Sequence, residues 1–364
     1  MKYKLEKVPP GVYFEISRKC NLKCKYCYAR ISVDDCAADN SPENNQLTGT
    51  SPELDTDDIK NVILKIKNAG NELLIISGGE PLVRKDIMDI LQYSCDTLTT
   101  TLLTNATLID LETALKLESI NSLNINVSID GPKAEYHERY RGEGTFRRTM
   151  TGIKNLMKAG MRKRISLCMT VTSVNIDSVN DMISMTMSLG IPSLVITPVV
   201  RRGYAEEIWE EIKSAPEKLL RMFNDIYEFE RKYGDRIHIS GSMKSSLLNT
   251  LEDSAGIVKC PVGQRIAIDY TGNVYPCSLM MSPQHATGNM LNEPLESIVN
   301  GNLMKKYMEI ALTRKDRMDK CRPCKWNPVC AGGCMARAYL ECGDLLLPDP
   351  DCEIIRKILD SAGE

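Results

Sequence analysis

Residues 11–27 read GVYFEISRKCNLKCKYC. GVYFEIS is strand-like, and Cys20, Cys24 and Cys27 follow it, three thiols within eight residues. A structural zinc site takes four ligands, commonly as paired C-x2-C units. No histidine stands at a suitable spacing, because the chain holds only His137, His238 and His285. C-x3-C-x2-C instead suits three corners of a cubane iron–sulfur cluster. The fourth iron is then open to a small chelating ligand, with zinc as the plainer alternative.

Working outward, strand-like runs at 11–17, 72–77, 98–104, 122–129, 164–172 and 193–199 alternate with helical patterns at 56–69, 85–95, 110–119, 145–159 and 176–189. In the first helix Ile59, Val62, Ile63 and Ile66 share a face, with Thr56 as N-cap. Such alternation predicts a parallel sheet with right-handed crossovers. Six units make a partial (β/α)6 TIM-like barrel, with chemistry at the C-terminal strand ends. The three cysteines follow the first strand and therefore sit at that edge. Residues 31–55 are rich in Asn, Asp, Ser and Pro and read as a long loop or flap. A further amphipathic helix reads at 216–234.

The character then changes. RIAIDYTGNVYPCS, 265–278, reads as a hairpin turning at Thr271-Gly272-Asn273, 296–312 reads as helical, and 321–352 is loop-like with six cysteines. This α/β chain is therefore divided at 235 into the partial barrel and a small cysteine-rich domain, 236–364. The second part has too little apolar periodicity to fold on packing alone, so metal is expected to hold it.

The chain has 364 residues, 43% of them apolar, and 46 Lys+Arg balance 48 Asp+Glu. A sizeable core is available, and no basic field for nucleic acid. The basic run 161–164 reads as a solvated face. MKYKLEKVPPG has no apolar segment of a signal peptide, and no run approaches a membrane span. A cytoplasmic protein is expected, in which 14 cysteines are metal ligands or reactive thiols rather than disulfides. Cys95 and Cys168 read as small core residues, and Cys36 as a free thiol in the loop.

With Tyr26 as its aromatic, the cysteine motif resembles that of the radical S-adenosylmethionine (radical SAM) family. Ser77-Gly78-Gly79-Glu80-Pro81, after the second strand, resembles the family's GGEP motif. Glycines let the backbone approach, and the carboxylate faces an ammonium. Val127-Ser128-Ile129-Asp130-Gly131 and the stretch His137–Phe146 also resemble the family. The resemblance implies a 4Fe–4S cluster on Cys20, Cys24 and Cys27, chelated by S-adenosylmethionine. It implies cofactor contacts from Tyr26, Gly78, Gly79, Glu80, Ser128 and Arg141, the last pairing with the methionyl carboxylate. The alternative for Arg141 is a surface ion pair with Glu138 or Glu143. Thr104-Asn105 and Asn175 stand at the same edge, as pocket lining or strand-end caps. One electron would cleave the sulfonium to a 5′-deoxyadenosyl radical, which removes a hydrogen atom from substrate.

The later cysteines, Cys260-x11-Gly272-x4-Cys277, then Cys321-x2-Cys324-x5-Cys330-x3-Cys334 and Cys352, resemble the SPASM extension of that family. The resemblance implies two auxiliary clusters and so three iron–sulfur clusters in all. Cys260, Cys277 and Cys334 would hold one, and Cys321, Cys324, Cys330 and Cys352 the other. The first set has three thiols; Cys342, a carboxylate such as Asp253, or an open iron completes it.

SPASM relatives mostly modify peptides or proteins, and others act on tetrapyrroles. Sulfatase-maturing relatives carry an Asp base after the residue matching Cys277; here Ser278 stands there, so that activity is discounted. About ten residues precede the first strand, so no leader-recognition domain is expected there. The segment 198–203, with Arg201 and Arg202, and the 31–55 loop are candidate substrate contacts. The leading expectation is a radical SAM oxidoreductase modifying a peptide or protein, with a ferredoxin or flavodoxin as reductant. A tetrapyrrole or small-metabolite enzyme is the alternative, and a non-catalytic iron–sulfur or zinc protein the third.

Overall fold

Residues 11–29, 53–241, 260, 262 and 265–362 are described by a computed structural model. Cys36, Asp253, the N-terminal stretch and most of the expected flap lie outside them. Ten strands form one sheet in the order β10-β9-β8-β1-β2-β3-β4-β5-β6-β7. They are β1 Gly11–Glu15, β2 Leu73–Ser77, β3 Thr99–Thr104, β4 Leu123–Ser128, β5 Ile165–Val171, β6 Ser193–Pro198, β7 His238–Ser240, β8 Arg265–Ile268, β9 Asn273–Tyr275 and β10 Gly288–Asn289. All neighbours from β8 to β7 run parallel, while β8-β9 and β9-β10 are antiparallel. The parallel sheet matches the expected crossover fold.

The main helices are α1 Thr56–Asn68, α2 Ile87–Thr97, α3 Leu111–Ser119, α4 Ala134–Arg141, α5 Thr145–Lys158, α6 Val179–Ser188 and α7 Pro216–Tyr233. After β7 come α8 Leu295–Val299, α9 Asn302–Arg317, α10 Met335–Cys342 and α11 Cys352–Ala362. Asp55, not Thr56, caps α1, accepting the Asp58 N–H at 2.8 Å. Thr56 instead donates its hydroxyl to Asp86 at 2.6 Å. Both residues are good caps; the one with extended backbone takes the role. The helix expected at 296–312 breaks into α8 and α9 at Asn300-Gly301. The region 321–352 is less loop-like than expected, since it contains the turn 327–330 and α10.

The strands have two different faces, as their period of two requires. Val12, Phe14, Leu74, Ile76, Leu102, Leu123, Ile125, Val127, Leu167, Leu194 and Ile196 are buried in one core. The opposite face is half-buried and largely polar. Register sets Tyr13 beside Ile75, Ile75 beside Thr101 and Thr101 beside Asn124. It also sets Asn126 beside Ser166, and Ser128 beside Cys168. Cys168 is thus on the polar inner face, not in the apolar core where it was expected. The alternation of β5 dictates this.

The expected boundary at 235 is not a break in the sheet. β7 adds to β6, and β8 adds to β1 on the other side. Ile266, Ile268, Leu295, Ile298 and Ile358 join the barrel's core. The cysteine-rich end has its own small cluster, built on Cys260, Tyr307, Ala311, Met335 and Ala336.

Candidate active site

The cysteine loop leaves β1 and is tied down at several points. Lys25 N–H donates to the Tyr140 carbonyl at 2.8 Å, and Cys27 N–H to the Cys24 carbonyl at 3.1 Å. Asn21 donates to Thr107 at 2.8 Å and accepts from Asn105 at 2.9 Å. Burial pushes the Cys20 thiol up to about 12 and the Cys24 thiol up to about 11, Arg141 pulling the latter back. Such thiols ionise when a metal takes them.

Gly78 and Gly79 press the β2 loop onto this one. Gly79 N–H donates to the Ser17 carbonyl at 2.9 Å and Glu80 N–H to the Lys19 carbonyl at 2.8 Å. A Cβ on Gly79 would lie 2.3 Å from the Lys19 oxygen, and one on Gly78 2.4 Å from that of Ser17. Only glycine admits this approach. Glu80 is buried and accepts from Leu82 N–H at 3.1 Å, the Thr104 hydroxyl at 2.8 Å and Asn105 N–H at 2.7 Å. Burial raises its carboxyl to about 7 against these bonds. An approaching ammonium would restore the charge. Thr104 and Asn105 therefore brace Glu80 and Asn21.

Arg141 is neither exposed nor paired with Glu138 or Glu143. Its Nε and Nη2 clasp both Asp130 oxygens, at 2.6 and 3.1 Å. Its guanidinium lies 5.5 Å from the Tyr26 ring centre. Tyr26 donates its hydroxyl to Asp130 as well. Asp130 also accepts Thr170 N–H at 3.1 Å, and its own N–H goes to His137 Nδ1 at 3.1 Å. Asp130 was legible only as part of a motif, yet it joins the cysteine loop, α4 and β5. Its carboxyl is held below the usual range, Arg141 overcoming the opposing effect of burial. Asn175 donates to the Asp130 carbonyl at 2.8 Å and acts as a strand-end cap. Ser128 is half-buried on the inner face.

Sequence reasoning missed the interior group Tyr13, Glu15 and Tyr28. The two tyrosine hydroxyls meet, Tyr13 donates to Ser77 at 2.7 Å, and Tyr28 to Glu15 at 3.3 Å. Alternation with Val12 and Phe14 was the available signal. Arg202 stacks 5.2 Å from the Tyr28 ring centre and donates to the Ser278 and Met281 carbonyls, each at 2.6 Å. It is thus engaged in joining the barrel to the segment after Cys277 rather than standing free as a candidate substrate contact.

The later cysteines fall into two groups. Cys260, Cys277 and Cys334 act on one another electrostatically, and burial pushes the Cys277 thiol up to about 12. Cys321, Cys324, Cys330 and Cys352 line a single cavity of about 430 Å³. Among the described residues no three His, Cys, Asp or Glu side chains converge as a mononuclear metal site does. Cys342 is exposed at the end of α10, eight residues and about 12 Å of helix rise from Cys334. The structure does not bring it to the first set. Asp349 accepts Cys334 N–H at 2.9 Å, while its own carbonyl accepts Cys352 N–H at 2.9 Å, linking the two sets.

Three thiols, a glycine cradle and a buried carboxylate at the strand ends fit a cluster with a chelating amino-acid cofactor. Comparisons with known proteins agree. A sequence model of the radical SAM superfamily matches residues 14–186, and the SPASM model, an iron-sulfur cluster-binding domain, matches 260–325. The AdoMet-dependent heme synthase of Methanosarcina barkeri is 30% identical, over 94% of this chain and 96% of its own. The mycofactocin maturase MftC of Mycolicibacterium smegmatis is 26% identical, over 94% and 82%. The structure of anSMEcpe with bound AdoMet and a peptide superposes with a TM-score of 0.76 at 20% identity, over 98% of this chain and 97% of the other. That likeness speaks for the fold alone. No helix among the described residues is long and apolar enough to cross a membrane.

Proposed function

The chain belongs to the radical SAM superfamily and carries an iron–sulfur cluster-binding SPASM domain, and from that premise we propose that it removes a hydrogen atom from a peptide or protein side chain held against the inner face of the sheet. The observation that carries this reading is the cysteine loop clamped onto Gly78-Gly79-Glu80 at the strand ends. Cys20, Cys24 and Cys27 would hold the cluster that binds S-adenosylmethionine. Cys260, Cys277 and Cys334 would hold a second cluster, and Cys321, Cys324, Cys330 and Cys352 a third. Together, when bound, the first cluster and S-adenosylmethionine supply a hydrogen-abstracting 5′-deoxyadenosyl radical.

The chain's own residues orient and insulate. Glu80 receives the methionyl ammonium on a carboxylate whose three donors fix its position. Ser128, half-buried on the inner face, would contact the nucleoside or methionyl part. Arg141 keeps Nη1 outside its clasp on Asp130 and can turn that donor to the methionyl carboxylate. The packed core behind the sheet excludes water from that side. A peptide is favoured because the inner face presents Asn124, Asn126, Ser166 and Thr170, amides and hydroxyls that pair with peptide groups. A tetrapyrrole substrate is the second reading, favoured by the 30% identity to a heme synthase over nearly the whole chain.

The test is 5′-deoxyadenosine release by the anaerobically reconstituted, reduced protein. Release is expected from the wild type and not from Cys24→Ala; equal release by both contradicts the proposal. Short Cys-, Tyr- or Lys-containing peptides are expected to accelerate it and to change mass. Acceleration by an iron porphyrin bearing propionates, and by no peptide, selects the second reading. A ferredoxin or flavodoxin is the proposed electron donor.

A further inference from the structure

Arg314, on α9, is fully buried, with no exposed surface. A guanidinium that far from water normally has a carboxylate beside it. Among the described residues, every hydrogen bond it makes goes to a backbone carbonyl. Nε donates to Leu345 at 2.9 Å, Nη1 to Gly332 at 3.0 Å and to Gly333 at 2.9 Å, and Nη2 to Leu347. These bonds satisfy its donors, and among the described residues no carboxylate pairs with it. Asp349, the carboxylate whose field it feels, is ion-paired instead with Arg337 at 3.3 Å.

The other groups near enough for their ionised form to act on Arg314 are thiols, first Cys260 and Cys334 of one set, then Cys321 of the other. Gly332 and Gly333 are also the link between Cys330 and Cys334, that is, between the two sets. Both glycines have left-handed φ, 81° and 70°, which turns their carbonyls toward one donor.

We propose that Arg314 is the shared counter-cation of the two auxiliary clusters, a positioning residue that offsets their thiolate charge, raises both reduction potentials and couples folding of the cysteine-rich end to iron loading. Iron binding turns the surrounding thiols into thiolates, so the opposing charge arrives with the metal. The inference rests on the proposed loading of both sets, and iron analysis and spectra of the wild type test that loading by themselves.

The decisive comparison is Arg314→Met against wild type, each as loaded protein and as apoprotein made by anaerobic chelation. In the loaded protein, both auxiliary clusters of the variant are expected to titrate at lower potential. The reduced fraction at a fixed potential falls about tenfold, or about 59 mV for a one-electron couple, while the barrel-mouth cluster stays put. Arg314→Lys, which keeps the charge, is expected to stay close to wild type in potential. In the apoprotein Arg314→Met and Arg314→Lys both give up carbonyl bonds, so the methionine variant, which also removes the unpaired buried charge, should show more amide-exchange protection along Asn302–Arg317 than the lysine variant. Unmoved auxiliary potentials, or lower protection of Arg314→Met than of Arg314→Lys in the apoprotein, would overturn the proposal. The apoprotein arm decides the matter even where the loaded variant cannot be prepared.

Discussion

Replacing Gly79 by alanine should empty the cluster proposed for Cys20, Cys24 and Cys27 and spare those proposed for the later cysteines. The added Cβ would stand 2.3 Å from the Lys19 carbonyl oxygen and 2.7 Å from that of Arg18. Ordinary contact begins near 3.4 Å, so the two loops must part by about 1 Å. Both partners are backbone atoms and cannot rotate away. Overpacking of this kind costs about 1–3 kcal/mol. Parting also breaks the bonds from Gly79 to Ser17 and from Glu80 to Lys19, each worth about 1 kcal/mol. The local penalty is therefore about 3–5 kcal/mol, falling on the loop that carries Cys20. At 1.4 kcal/mol per factor of ten, cluster retention should drop at least about a hundredfold. The assay is iron and sulfide content, cluster spectra and 5′-deoxyadenosine release, with Gly11→Ala as control because its Cβ meets nothing within 4 Å. Full iron content and wild-type release in Gly79→Ala would refute the reasoning.

Other expectations follow from the same geometry. Asp130→Asn leaves the Arg141 guanidinium buried without its carboxylate and should lower stability by about 3–5 kcal/mol in anaerobic urea titrations; adding Arg141→Met should recover part of the loss. Burial lowers His137 to about 4 from 6.5, so the native state resists a proton that the unfolded chain accepts. Its contribution is present above pH 6.5 and is lost as pH falls through 4, by up to about 3 kcal/mol, and His137→Gln should flatten that limb of the stability profile. Cys342→Ser should leave iron content and spectra unchanged, since its thiol is exposed and apart from the first set, whereas Cys334→Ala should lose the cluster proposed for Cys260, Cys277 and Cys334.

Much of the barrel was legible because each strand alternates and each helix carries an apolar stripe. The cysteine spacings likewise carried the resemblance to the two families whose models match. What stayed hidden depended on partners distant in sequence. The resemblance implied a cofactor contact for Arg141, but its clasp on Asp130 needs α4 folded back over the end of β4. Arg202 reads as a substrate contact until the segment after Cys277 is seen accepting its bonds. Likewise, β8 cannot be assigned beside β1 from sequence, because more than two hundred residues separate Gly11 from Arg265 and no local pattern encodes that pairing. Arg314 resembles any basic residue near a helix end, and only its burial sets it apart.

The most direct test of the whole account is electron paramagnetic resonance with hyperfine detection on the reduced protein, using S-adenosylmethionine labelled with nitrogen-15 at the methionyl amine. A change in the signal of the cluster proposed for Cys20, Cys24 and Cys27 and a coupling to the labelled nitrogen are expected, both absent in Cys24→Ala. A signal indifferent to the nucleotide, or zinc in place of iron at Cys20, Cys24 and Cys27, would contradict it.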